Sequence, residues 1–70
     1  MGASRYEIRV RGALSETLLA AFPALIGTAQ GADTVLVGVL ADQAALHGVI
    51  SDVGALGLEL LEVRRLPGDA

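Results

Sequence analysis

Residues 34–40 read Thr-Val-Leu-Val-Gly-Val-Leu, an apolar, largely β-branched run with no polar break after Thr34. Successive side chains of a strand point to opposite faces. A run that is apolar at both parities is therefore a central strand covered on both sides. A chain of 70 residues must supply those covers from very little material. A monomer of this size buries only roughly 60% of the surface its unfolded chain exposes.

Small scaffolds usually add a disulfide, a metal or a partner subunit. The absence of cysteine removes disulfides, zinc fingers, iron–sulfur clusters and thiol catalysis. With a single histidine, a protein metal cage is not expected, and no cofactor is implied. Association is the remaining staple. Hydrophobic residues make up 53% of the chain and the mean hydropathy is +0.59. Even so, no uninterrupted apolar run reaches the ~20 residues of a membrane helix. The N-terminal residues lack the apolar core of a signal peptide. Tyr6 stands where a myristoylation pattern would want Ser or Thr. The expected location is cytoplasmic, with no membrane contact.

Residues 6–11 alternate apolar and charged, which predicts a half-buried strand with Tyr6, Ile8 and Val10 inward. Gly12 ends it. Ser15 is the expected N-cap of a first helix, with Glu16 at its positive end and Leu14 stapling onto Leu19. Leu18, Leu19, Phe22 and Leu25 follow at helical spacing, limited by Pro23 and Gly27. Residues 25–31 predict a short strand or extended edge, and residues 31–33 a turn. Asp42 caps a second helix whose buried stripe is Leu46, Val49, Ile50 and Val53, with Gly57 as its stop. Residues 58–66 form the last strand. The chain is expected to be one domain over residues 1–70, with 1–4 and 67–70 as flexible ends.

The order strand, helix, strand, strand, helix, strand predicts an α+β fold of ferredoxin-like βαββαβ type. Two right-handed crossovers and a hairpin give a four-stranded antiparallel sheet ordered 4-1-3-2, with both helices on one face. Gly48 and Gly54, each costing ~1 kcal/mol inside a helix, imply a close approach to the sheet opposite Gly38.

One stretch, Asp42-Gln43-Ala44-Ala45-Leu46-His47-Gly48, is preceded by Asp33-Thr34-Val35-Leu36 and followed by Leu56-Gly57-Leu58. Together with Tyr6-Glu7-Ile8-Arg9-Val10 it resembles a group of short uncharacterised bacterial proteins. The resemblance covers most of the chain and implies a shared fold. It implies no activity, so no catalytic residue is carried over.

Candidate chemistry is sparse. Imidazole is the side chain that titrates near neutral pH, and His47 is the only one. It sits at the edge of the second helix's buried stripe, beside Gln43, where it could touch a ligand; the plainer role is a boundary residue. Asp42 and Gln43 at a helix N-terminus could contact an anion, though Asp42 has a sufficient role as cap. Arg11 is expected to be the freest arginine, because the predicted register pairs Glu7 with Arg64 and Arg9 with Glu62. His47, Gln43 and Arg11 are the candidate ligand residues. No Rossmann or P-loop glycine spacing occurs. The net charge of −3, without lysine, argues against a nucleic-acid partner.

The sheet face away from the helices carries more information. Alternation leaves Glu7, Arg9 and Arg11 there, with Leu58, Leu60, Glu62, Arg64 and Leu66 from the last strand. If Leu36, Gly38 and Leu40 face the helices, Val35, Val37 and Val39 from the central run join them; the opposite assignment of the central strand also presents an apolar face. The result is an apolar strip rimmed by charge, which soluble monomers rarely leave bare. The expected oligomer interface is Arg9, Val35, Val37, Val39, Leu58, Leu60 and Leu66. The expected partner is a second copy, as a dimer. Three functions compete: a homo-oligomeric binding or regulatory module, a small enzyme with a site between subunits using Tyr6, Arg9, Arg11 or His47, and an accessory subunit docking another protein.

Overall fold

In the computed structural model, which describes residues 3–67, the elements run β1 (Ser4–Arg11), α1 (Glu16–Leu19), β2 (Ile26–Gln30), β3 (Asp33–Leu40), α2 (Gln43–Ala55) and β4 (Leu60–Arg65). The four strands form one sheet in the order β2-β3-β1-β4, with every neighbouring pair antiparallel. The fold is therefore α+β, a four-stranded antiparallel sheet with two helices. Ser4, expected in a flexible end, opens β1 opposite Leu40. The rest of those expected ends lies mostly outside the described residues.

Tyr6, Ile8 and Val10 of β1 are buried, and their cross-strand partners on β3 are Gly38, Leu36 and Thr34. Directly opposed residues share a face, so one side of the sheet carries Ile8, Val10, Leu36 and Leu40. These join Phe22 and Leu25 from the first crossover and Leu46 and Val53 from α2 in a single core. Val49 and Ile50 complete the expected α2 stripe as half-buried neighbours. No helix of the described residues is long and apolar enough to cross a membrane.

The first crossover departs from a clean ferredoxin-like unit. Ser15 caps α1 by accepting from the Leu18 N–H at 3.2 Å, but the helix lasts only from Glu16 to Leu19. Proline disfavours helical backbone at the preceding residue, and Pro23 follows Phe22 by one position. Phe22 and Leu25 still reach the core, from turns rather than from a helix. A hydroxyl ties the entry to this crossover. Thr34, buried on β3, donates to the Gly12 carbonyl at 2.7 Å and accepts from the Leu14 N–H at 3.2 Å.

α2 begins with Asp42 accepting from the Ala45 N–H at 2.8 Å. It ends in paired reverse bonds, Gly57 N–H to Gly54 O and Leu58 N–H to Val53 O, with Gly57 at φ +76. This Schellman closure brings the residue after the glycine back onto the last helical turn. Leu58 accordingly packs against the core beside Val53. The expected close approach at Gly48 and Gly54 is not found: a Cβ at either would meet nothing within 4 Å. Gly38 is tightly enclosed, but by the first crossover. A Cβ there would collide with the Ala24 carbonyl and lie 2.8 Å from Leu25 Cδ2.

Candidate functional site: the open sheet face

The side of the sheet away from the helices is laid out in four rows set by the register. At one end Glu59, Arg11, Asp33 and Gln30 lie abreast. Next come Glu62, Arg9, Val35 and Thr28, then Arg64, Glu7, Val37 and Ile26. The last row is Leu66, Arg5 and Val39, with Leu66 held by its N–H bond to the Arg5 carbonyl at 2.8 Å.

The expected register of Glu7 with Arg64 and Arg9 with Glu62 is the observed one. Only the first pair becomes an ion pair, at 3.5 Å. Arg9 turns the other way and its Nη2 donates to Gln30 Oε1 at 2.7 Å. Gln30 lies two strands away on β2, so the guanidinium crosses β3 between Val35 and Asp33. Val35 is 8% exposed although it lies outside the core cluster, which fits cover by the Arg9 stem. It is thus on the open face as expected, yet contributes nothing to an exposed strip. The Arg9 Nε is buried without an acceptor among the described residues.

Arg11, expected to be the freest arginine, forms the shorter ion pair, 2.8 Å from Nε to Glu59 Oε1. Arg5 and Glu62 enter no ion pair or side-chain hydrogen bond among the described residues.

A bulge in β4 corrects the expected placement of its leucines. Arg9 faces Glu62 but Val10 faces Leu60, so one residue, Leu61, is extra. Beyond the bulge the alternation is reversed. Leu58 falls on the helix side and joins the core, and Leu60 stands opposite the inward Val10 at 37% exposure. Leu61, expected inward, is half-buried but outside the core cluster. Of the leucines assigned to the open face, Leu66 keeps its place.

The apolar part of the face therefore moves toward β2. Ile26 is 75% exposed and Val39 53%, with half-buried Val37 between them. A shallow depression of about 300 Å³ is lined here by Arg5, Ile26, Thr28, Val37, Gly38 and Val39. Ile26 was not anticipated. The edge strand carrying it has too few apolar residues to show a period, and only the alternation from Ile26 through Thr28 to Gln30 hints at its face.

The three candidate ligand residues do not converge. Gln43 and His47 are exposed on α2, whereas Arg11 is on the opposite side of the sheet. Among the described residues no group of three or more His, Asp or Glu is placed to hold a metal.

Sheet and face together define a small α+β domain with one side of its sheet covered by helices and the other bare. Residues 5–64 match the family model described as Domain of unknown function (DUF8691), and the chain belongs to that family. No curated protein and no solved structure matches the chain.

Proposed function

We propose that this protein is a self-associating binding module, a homodimer whose interface is the open sheet face, working in the cytoplasm without catalysis of its own. The observation that carries the proposal is the exposure of Ile26 and Val39 on either side of Val37. Together they form one apolar patch on a sheet whose other side is already packed. Burying such a patch contributes roughly 25 cal/mol per Å². That is the stabilisation a short chain without disulfides lacks. The residues of the enzyme reading are dispersed, with Tyr6 buried on the helix side, His47 exposed on α2 and Arg9 and Arg11 on the open face. Acid–base chemistry needs groups within hydrogen-bond reach of one substrate, which favours association over catalysis. We read the fold as ferredoxin-like with its first helix cut to one turn. We read the Asp42–Gly48 segment as a mark of short bacterial members of the family.

Ile26→Glu tests the interface without threatening the fold, because Ile26 is already mostly in water in the single chain. Sedimentation equilibrium at micromolar concentration should find the parent dimeric and Ile26→Glu monomeric, with unchanged circular dichroism. A monomeric parent, or a variant that stays dimeric, overturns the proposal.

A further inference from the structure

We infer that two copies are held in register by a reciprocal ion pair, Arg5 of each chain with Glu62 of the partner subunit. The inference rests on the self-association proposed above and specifies its geometry. Arg5 and Glu62 are the open-face cation and anion on β1 and β4 left without partners among the described residues. Their positions are related by the register. Arg5 lies two residues before Glu7 on β1, and Glu62 is abreast of Arg9, two residues after it. Each is thus about 7 Å from the Glu7 row, on opposite sides of it.

A symmetric dimer joins the same surface of both copies, so a contact between two residues is made twice. For stacked sheets the two-fold axis lies between the faces. An axis running across the strands at the Glu7 row carries Arg5 of one copy to the level of Arg9 and Glu62 of the other. It also lays that whole row over its own copy. Val37 and Ile26 meet their counterparts, and Glu7 and Arg64, ion-paired at 3.5 Å within each chain, lie over theirs, each carboxylate one strand from the partner's guanidinium. At the next level Arg5 would meet Arg9 if Arg9 stood upright. It does not: Gln30 holds its guanidinium toward β2, and Glu62 is the charge left at the β4 side.

Area makes the pairing consequential. Four strands ~4.8 Å apart and ~7 residues long give a flat face of roughly 450 Å², so stacking buries about 900 Å² in all, below the ~1,200 Å² of ordinary stable interfaces. Patch burial alone leaves such a contact weak and its register undefined, and complementary charge supplies the register.

The test is a charge swap read by sedimentation equilibrium. Both side chains point into solvent from the single chain, so the variants keep the fold, which urea midpoints at low protein concentration confirm. Arg5→Glu and Glu62→Arg should each raise the dimer dissociation constant about tenfold or more, and the double variant should return it to within about threefold of the parent. Asp33→Arg combined with Arg5→Glu should give no rescue. Absence of rescue in the Arg5/Glu62 double variant overturns the pairing, as does rescue through Asp33. If Ile26→Glu dissociates the dimer while the swap fails, the face stands and only the ion pair falls. If Ile26→Glu has no effect, the face itself is wrong.

Discussion

Arg9 stands directly opposite Glu62 and yet bonds Gln30, two strands away on β2, at 2.7 Å. A surface ion pair contributes little, commonly 0–1 kcal/mol. Lying flat over Val35 also removes apolar surface from water, and this additional gain favours the crossing conformation. The Nη2–Oε1 bond itself is exposed to water while the rest of Arg9 is half-buried, so the stem rather than the head carries most of the energy.

Arg9→Ala should therefore cost about 1 kcal/mol through exposure of Val35, while Gln30→Ala should stay within about 0.5 kcal/mol. Urea unfolding at one fixed protein concentration measures both, because association shifts apparent stability. Equal losses in the two variants would place the energy in the hydrogen bond instead.

The glycines separate into removable and required. Gly48 and Gly54 face open space within α2. Replacing Gly48 by Ala should stabilise by about 0.5–1 kcal/mol, and Gly54, nearer the helix end, by less. Gly38 meets the Ala24 carbonyl and Leu25, so Gly38→Ala should destabilise by about 1–3 kcal/mol. Thermal or urea midpoints moving in opposite directions for Gly48 and Gly38 bear this out; a loss at Gly48 would show that α2 packs more closely than its surroundings indicate.

The Thr34 hydroxyl joins two segments, accepting from the Leu14 N–H and donating to the Gly12 carbonyl. Thr34→Val keeps the shape and leaves both backbone groups unpartnered in a half-dry site. A loss of about 1–3 kcal/mol is expected, with a smaller loss for Thr34→Ser, which keeps the hydroxyl. Stability equal to the parent in Thr34→Val would mean that water replaces the hydroxyl at no cost.

Where local chemistry and period agree, the chain is legible before its structure. The alternation of β1, the Asp42 cap and the α2 stripe all appear as read, and so does the register of Glu7 with Arg64. The failures have identifiable causes. Strand alternation puts Leu58 on the open face, but it follows Gly57, and the residue after a C-terminal glycine commonly packs back on the helix, as Leu58 does. Leu60 and Leu61 were misplaced because a bulge adds a residue without changing composition. Arg11 pairs with Glu59 and Arg9 bonds Gln30 rather than Glu62 because register fixes where a side chain starts, while a long side chain chooses among several ends. Alternation places apolar residues of β3 and β4 on the open face, whereas the exposed apolar side chains there are Val39 of β3 and Ile26 of β2. The short edge strand carries Ile26 in a segment with no clear period.

The cations of the open face are largely engaged within the chain. Arg11 is 2.8 Å from Glu59, Arg64 is 3.5 Å from Glu7, and Arg9 is bound to Gln30. Arg65 stands opposite the inward Tyr6, on the helix side of the sheet. Arg5 is left as the cation of this face without a partner among the described residues, on a chain of net charge −3. Nucleic-acid affinity is built from several phosphate contacts, each releasing counterions. Single-stranded binding on a sheet also needs aromatic rings to stack on bases, and the sheet's tyrosine, Tyr6, is buried beneath the helices. Labelled DNA and RNA, single- and double-stranded, should therefore show no change in anisotropy with micromolar protein at physiological salt. Binding in that range that weakens steeply as salt is added would make the open face a nucleic-acid platform. The Ile26, Val37 and Val39 patch would then be the contact surface for bases rather than for a second copy of the chain.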